Sequence, residues 1–242
     1  MSRVDQLIER LAPDGVEYRA LGELGTLVRG NGMPKTDFTT TGVGCIHYGQ
    51  IYTHYGAWTA DTLSFVSAEK AAGLAKVDPG DVIITNTSEN LDDVCKAVAW
   101  LGRGQIVTGG HATVLKHDQN PKYLAYYLQT PEFFASKKRY ATGTKVIDVS
   151  AGSLSKIRIP VPPPEVQAEI VRILDQFVEL EAELEARLEA EIAGLLVKAE
   201  TEDAEEDRRY GRDKRGDELP AGAGVQGGLT GEDQRSQGRP SG

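Results

Sequence analysis

A long run of regularly spaced apolar residues, which follows a proline-rich break, constrains this chain more than any other feature. Residues 160–164 read Pro-Val-Pro-Pro-Pro, and the apolar positions of residues 164–200 then recur at alternating intervals of four and three before running in fours. This is the heptad spacing of a coiled coil interrupted by a stutter. It predicts a helix of roughly 55 Å whose apolar stripe needs a partner helix. The residues that we assign to this dimer or subunit interface are Ile170, Ile173, Leu174, Phe177, Leu180, Leu184, Leu188 and Ile192.

The residues before the break predict an α+β domain. Short β-type runs bounded by Gly, Pro or Asp turns, one of them covering residues 44–52, are interleaved with helical segments, two of which cover residues 121–129 and 131–140. Ser2 and Asp5 have the spacing of a capping box and predict an opening helix. This irregular order favours an antiparallel or barrel-like sheet over a doubly wound parallel sheet. We therefore predict a domain at residues 1–163 and a coiled-coil spacer or dimerisation helix at 164–200. Residues 201–242 are rich in Gly and charged residues and are predicted to be a disordered tail.

The net charge of -9, taken over the whole chain, argues against a partner as acidic as DNA. However, the excess of acidic residues falls after residue 163, whereas the first domain is close to neutral and can carry a local basic face. No apolar run is long enough to span a membrane, so we expect a cytoplasmic protein without membrane contact. The two cysteines, Cys45 and Cys95, do not have the spacing of a zinc site, and we expect neither a metal nor a cofactor.

Residues 157–177, IRIPVPPPEVQAEIVRILDQF, combine a strand, a proline corner and the start of the helix. They resemble the junction between the target-recognition domain and the helical spacer in specificity subunits of type I restriction-modification systems. Segments similar to that family also occur upstream in the family's order, at residues 14–23, 29–35, 79–83, 109–113 and 141–146. The matching junction residues are Pro163, Pro164, Glu165, Gln167, Ile170 and Leu174.

The resemblance implies a non-catalytic subunit that reads a DNA sequence. Its partners would be double-stranded DNA and the methyltransferase and restriction subunits, which it directs to a bipartite target. A full-length family member carries two recognition domains and two antiparallel spacer helices, whereas this sequence shows one of each. We therefore expect a half-size form that self-associates through residues 164–200.

Two alternatives remain open from the sequence. The chain could be a coiled-coil adaptor or scaffold protein whose α+β domain binds protein, or an inactive truncated remnant of a two-domain specificity subunit. DNA binding that weakens steeply with salt would distinguish a recognition subunit from an adaptor, because phosphate contacts release counterions.

Loops that carry Arg, Lys, Asn, Gln and Tyr are the predicted DNA contacts. Bidentate polar groups read base edges, and cations hold phosphates. Two cationic clusters and one aromatic stretch fit this description. Their residues are Arg29, Asn31 and Lys35; Lys137, Lys138, Arg139, Tyr140, Thr144 and Lys145; and Tyr48, Gln50, Tyr52 and His54.

Overall fold

The computed structural model describes residues 1–216. The helices are α1 (Arg3–Leu11), α2 (Leu21–Leu24), α3 (Tyr48–Thr53), α4 (Ala68–Ala72), α5 (Pro121–Tyr127), α6 (Pro131–Lys137), α7 (Ala151–Leu154) and α8 (Pro164–Gly216), with a 3₁₀ turn at Lys35–Asp37. The strands are β1 (Tyr18–Ala20), β2 (Gly25–Arg29), β3 (Phe38–Thr39), β4 (Val43–Ile46), β5 (Trp58–Thr59), β6 (Ser64–Val66), β7 (Ala75–Val77), β8 (Val82–Thr85), β9 (Thr87–Ser88), β10 (Ala97–Trp100), β11 (Ile106–Thr108), β12 (Ala112–His117), β13 (Ile147–Asp148) and β14 (Arg158–Pro160).

Two open five-stranded sheets form the body of the domain. The central sheet has the order β2-β12-β8-β10-β5, and the outer sheet has the order β3-β6-β4-β11-β7. Neighbouring strands are antiparallel except for the β5–β10 and β4–β11 pairs. Two further pairs, β1–β14 and β9–β13, are antiparallel ribbons. The predicted α+β class with an irregular, mainly antiparallel sheet and a long C-terminal helix is confirmed. Within residues 1–216 neither sheet closes into a barrel.

The central sheet is buried on both faces. In β8, Val82 and Ile84 belong to the core shared with the helices, whereas Ile83 belongs to the core between the two sheets. A strand covered on both faces needs apolar residues at every position, which explains the uninterrupted Val-Ile-Ile run. The far face of the outer sheet packs against α4 through a third core cluster that includes Ala71.

Side-chain caps fix the helix starts that the sequence predicts. Ser2 caps α1 and forms a capping box with Asp5. Asn120 and Thr130 cap α5 and α6, each of which has proline in its first turn. That turn has no intrahelical partner for its amides, so proline loses nothing there and its fixed φ suits the helix. Both helices therefore begin where the sequence predicts.

The predicted strand at residues 44–52 is wrong in its second half. β4 ends at Ile46, and His47 caps helix α3. The Nδ1 atom of His47 accepts from Gly49 N at 3.1 Å, and Oε1 of Gln50 accepts from His47 N at 2.9 Å. This reciprocal cap satisfies two amides and overrides the β propensity of the tyrosines. Tyr48 and Tyr52 are therefore four residues apart on one helical face.

Helix α8 begins at the predicted proline but is longer than the sequence indicates. It runs from Pro164 to Gly216, so residues 201–216 are helical where a disordered tail is predicted. The Glu and Arg residues of this segment are good helix formers, which favours continuation of the helix. The rest of the predicted tail, residues 217–242, lies outside the described residues. The division of function at residues 163 and 200 stays a prediction.

The chain divides into two compact units, Met1–Glu181 and a second unit that begins at Ala182. The first contains both sheets and the first turns of α8. The second, as far as it is described, is a continuation of α8 whose side chains are exposed at residues 182–206. No helix within residues 1–216 combines the length and the apolarity that crossing a bilayer requires.

Candidate nucleic-acid interface

Three loops that are distant in sequence leave the central sheet at the same end of its strands. β2 ends at Arg29, which pairs with Thr113 near the start of β12, and Ala112 pairs with Thr85 at the end of β8. The loops after β2, after β8 and before β12 must therefore lie side by side. We call the surface formed by these loops and helix α3 the loop edge.

Gly30 allows two of these loops to approach closely. Its amide donates to the carbonyl of Ala112 at 2.9 Å, and Asn31 forms a β-bridge with Gly109. A Cβ atom on Gly30 would lie only 2.0 Å from the carbonyl oxygen of Gly109. A side chain is therefore excluded at Gly30, and the loop that carries Arg29 and Asn31 is held against the turn before β12.

Aromatic rings form a row along the loop edge. The centroid of the Tyr48 ring lies 4.4 Å from that of His47 and 4.7 Å from that of His111. Tyr52 meets Tyr48 edge to face at 6.2 Å. The rings come from α3 and from the turn before β12, so they connect two elements that only the fold brings together.

An open cleft of about 380 Å³ lies between α3 and the loop after β8. The Tyr52 hydroxyl donates to the Thr87 carbonyl at 2.6 Å, and the Thr87 hydroxyl lies 2.8 Å from Nδ1 of His111. These bonds fix the walls of the cleft, which present the carboxylate, amide and hydroxyl groups that can read base edges. The lining residues are Tyr48, Tyr52, Thr87, Ser88, Glu89, Asn90, Asp93, His111 and Val146.

The β9–β13 ribbon brings a distant cationic segment to the same cleft. β13 pairs with β9, so the turn before β13, with the exposed residues Thr144 and Lys145, lies beside the loop edge. Gly143 has a φ of +96°, and a Cβ there would lie 2.0 Å from the carbonyl oxygen of Val146. Both conditions require glycine at this turn.

Burial sets the protonation of two groups in the loop edge. It lowers the pKa of His47, and the nearby Lys35 and His111 lower this pKa further. His47 is therefore neutral near pH 7, and its Nδ1 atom is free to accept in the α3 cap. Burial also raises the pKa of Tyr52 to about 12, so its hydroxyl stays protonated and donates to Thr87.

Residues 13–193 match the family model of the type I restriction modification DNA specificity domain. The chain belongs to this family. No curated protein matches the sequence significantly.

Solved structures show the same fold. A chain from a study of complex assembly and conformational transition of the type I R-M system is 22% identical, with a TM-score of 0.53, and the match covers 75% of this chain and 44% of that one. The HsdS subunit from Thermoanaerobacter tengcongensis is 19% identical, with a TM-score of 0.50 and the same two coverages, 75% and 44%. This specificity-domain chain therefore spans less than half the length of these solved chains.

The tertiary structure places several of the residues that the sequence predicts to bind DNA on one surface of the specificity domain. Those at the loop edge are Arg29, Asn31, Lys35, Tyr48, Tyr52, Thr144 and Lys145. His54 is exposed at the C-cap of α3. Lys138 and Arg139 are also exposed, and none of the side-chain contacts described for residues 1–216 joins them to the loop edge. Gln50 is engaged at both ends of its amide, by His47 N and by the Ser64 hydroxyl, and the half-buried Tyr140 packs on the helix-side core.

Lys137 is not a DNA contact, and this prediction from sequence is wrong. Its side chain is buried, and its amine donates to the carbonyls of Asp92 at 2.8 Å and Val94 at 2.6 Å. Burial lowers its pKa. Lys137 lies one turn after the buried Phe133 on the inner face of α6, whereas Lys138 points to solvent. The amine therefore holds the loop at residues 92–94 and cannot reach a phosphate.

The polar wall of the cleft is not among the residues predicted from the sequence. Thr87, Ser88, Glu89 and Asn90 form an unbroken polar run directly after the buried strand β8. Such a run at the end of a central strand is a signal that could have been used, because the loops at sheet edges often carry binding residues. For His111, the sequence predicts only a place in a turn that resembles the family.

The predicted interface residues of α8 fall into two groups. Ile170 packs against the helix-side core of the domain, and Ile173 and Leu174 are half-buried, so these three contribute to the first unit. The remaining five form a stripe whose members are between 49% and 65% exposed. We call this the exposed stripe; it comprises Phe177, Leu180, Leu184, Leu188 and Ile192.

Proposed function

We propose that this protein recognises a DNA sequence within a type I restriction-modification complex and directs methyltransferase and restriction subunits to a bipartite target. The observation that carries the proposal is the loop edge, where residues from four distant segments surround one polar and aromatic cleft. Membership of the DNA specificity domain family supports the same role. The chain contributes recognition, and the chemistry takes place on partner chains without a cofactor bound to this one.

The loop edge offers separate groups for phosphates and for bases. Arg29, Lys35 and Lys145 are exposed cations that suit phosphate oxygens. The carboxylate of Glu89 can accept from base edges in the major groove. The Asn90 amide already donates to the Asp93 carboxylate and accepts from Asp93 N, and its second amide proton and second lone pair remain for a base edge. Recognition of duplex DNA requires both kinds of contact on one surface.

Removing a loop-edge cation should reduce the salt dependence of DNA binding. We expect Arg29→Ala and Lys145→Ala each to reduce the slope of log affinity against log salt by about 1, since each loses one phosphate contact. Fluorescence anisotropy of a labelled random-sequence duplex, titrated at a series of KCl concentrations, measures this slope. Arg103→Ala is the control, because Arg103 is exposed after the opposite end of β10, away from the loop edge.

A wild-type slope near zero would contradict DNA recognition and favour an adaptor. An equal loss of slope in the Arg103 variant would place the binding surface elsewhere. Co-expression with a methyltransferase subunit of the same family, followed by sequencing of modified sites, tests targeting directly. We expect modification at one recurring sequence, and modification without any sequence preference would contradict the proposal.

We further propose that the exposed stripe packs against a second copy of the same helix. Five large apolar side chains along one helical face are costly to leave in water, and together they make a coiled-coil seam. Such a dimer has two identical recognition surfaces related by two-fold symmetry. That symmetry gives a palindromic bipartite target.

The double substitution Leu184→Glu with Leu188→Glu should dissociate this dimer. Two leucines that the proposed dimer would bury are replaced by charges, and we expect the dissociation constant to rise at least about a hundredfold. Size-exclusion chromatography with light scattering over a concentration series measures the change. Ala182→Glu with Ala186→Glu is the matched control, since it adds the same charge on the opposite face of the helix. A wild-type protein that stays monomeric at all concentrations would contradict self-association.

A further inference from the structure

The side chain of Gln167 connects α8 to the domain, and each polar group of its amide is hydrogen-bonded. It is 1% exposed. Its Nε2 atom donates to Oε1 of Gln119 at 2.9 Å and to the carbonyl of Pro162 at 2.8 Å, and its Oε1 atom accepts from Asn120 N at 3.0 Å. Both amide protons and the amide oxygen thus have partners within the domain. A buried amide satisfied in this way tolerates only one orientation, because any rotation leaves polar groups unpaired.

The residue that Gln167 holds is the one that starts helix α5. Oδ1 of Asn120 accepts from the amides of Lys122 at 3.1 Å and Tyr123 at 3.2 Å, which is the N-cap of α5. The Tyr123 hydroxyl in turn donates to the carbonyl of Pro160 at 2.9 Å. The start of α5, the proline corner and the first turn of α8 therefore form one hydrogen-bonded unit.

Asp175 makes a second attachment between the same two helices. Its carboxylate accepts from Nζ of Lys122 at 2.7 Å and from the Tyr126 hydroxyl at 2.7 Å. The ammonium of Lys122 also lies 3.9 Å from the centroid of the Trp58 ring. Two attachments that lie eight residues apart on α8 prevent the helix from pivoting about either one.

Glu169 lies on the opposite side of the helix start, between Arg172 of the same helix and Arg3 of α1. It is 6% exposed and accepts from Arg172 at 2.8 Å and 3.0 Å. Arg3 of α1 lies 3.7 Å from the same carboxylate. Val166 and Val171 are buried between these contacts. The first three turns of α8 are thus part of the domain rather than a flexible extension of it.

We infer that Gln167 and Asp175 are positioning residues that determine the spacing of the recognised DNA half-sites. This inference rests on the proposed function, including the pairing of two recognition domains. Each added base pair moves a half-site by about 3.4 Å and turns it by about 35° around the duplex axis. A domain that can rotate relative to its helix can follow a displaced half-site and bind at several spacings. A domain held at one angle binds at a single spacing. The prolines themselves fix only the φ angles of single residues, and the hydrogen bonds that restrict rotation across the junction come from the side chains of Tyr123, Gln167 and Asp175.

The test measures the affinity of the full chain for DNA duplexes whose half-sites are separated by spacers of different length. The wild-type target is first obtained by selection from a random duplex pool, and duplexes with the spacer shortened or lengthened by one base pair are then titrated. We expect the wild type to bind these neighbours at least tenfold more weakly than the selected spacing. Gln167→Met, which keeps the side-chain length, and Asp175→Asn should bind all three spacings within about threefold. Glu179→Gln, at an exposed position of the same helix, should behave as the wild type.

Affinity for an isolated half-site and the far-ultraviolet circular dichroism should be unchanged in both variants, which separates positioning from unfolding. If Gln167→Met does not fold, Asp175→Asn decides, since its side chain is partly exposed and isosteric. Folded variants that keep the wild-type spacer discrimination would overturn the inference. A wild type that selects one undivided site would also overturn it while leaving DNA recognition intact, whereas a wild type that selects no sequence would overturn the proposed function itself.

Discussion

Replacing Gly30 with alanine is expected to lower the free energy of unfolding by about 3 kcal/mol, whereas replacing Gly32 should change it by less than about 0.5 kcal/mol. The new methyl group at Gly30 would lie 2.0 Å from the carbonyl oxygen of Gly109, and a Cβ at Gly32 would meet nothing within 4 Å. The obstructing carbonyl oxygen belongs to the backbone of a segment that is paired with the loop after β2, so it cannot rotate away as a side chain would. Thermal unfolding should show a midpoint roughly 10 °C lower for Gly30→Ala.

Gly32→Ala is the matched control, because it makes the same chemical change two residues further along the same loop. The Gly30 variant should also bind DNA more weakly at temperatures where it remains folded, since the loop that carries Arg29 and Asn31 has to move. Equal stability of the two variants would show that the loops of the loop edge do not pack as closely as described.

Lys137→Ala is expected to lower the free energy of unfolding by about 3 kcal/mol, and Lys138→Ala should leave stability unchanged. The first change creates a cavity and removes the donor to the carbonyls of Asp92 and Val94. Hydrogen exchange should accelerate at Val94 and Cys95, and urea unfolding measures the loss. If Lys138 contacts phosphate, as the sequence predicts, its variant should instead weaken DNA binding at unchanged stability.

The buried amine also predicts a pH dependence. Burial lowers the pKa of Lys137 in the folded protein, so between this value and the ordinary lysine pKa the unfolded chain binds more protons than the folded one. The contribution of Lys137 to stability should therefore rise with pH across that interval. Lys137→Ala should lack this rise. An identical pH profile in the wild type and the variant would argue that the amine is not buried.

Local patterns predicted those parts of the protein that depend on neighbours in sequence. The capping box of Ser2, the prolines that begin α5, α6 and α8, and the apolar stripe of α8 all follow from spacing within a few residues. The motif at residues 157–177 predicted the family, and the match over residues 13–193 confirms it. Such signals are readable because the interactions behind them span one or two helical turns.

Patterns failed at two places, one decided by a local cap on histidine, which is not a usual N-cap residue, and the other by a distant contact. The run at residues 44–52 has the composition of a strand, yet His47 and Gln50 form a reciprocal cap that starts α3. Lys137 lies in a cationic cluster, yet the packing of α6 turns its amine toward residues 92–94. Neither outcome is visible in composition, because a side chain's direction depends on which face of its element is buried.

The long helix with its apolar stripe was therefore determined by the sequence alone, down to the proline at which it begins. Only the tertiary structure decided that Ile170 and its neighbours pack on the domain, that Gln167 and Asp175 anchor the helix start, and that the stripe available to a partner begins after them. It also assembled the loop edge from Arg29, His111, α3 and the turn before β13. Helical periodicity is a property of residues within two turns, whereas these placements follow from strand pairings and core contacts between residues far apart in the chain.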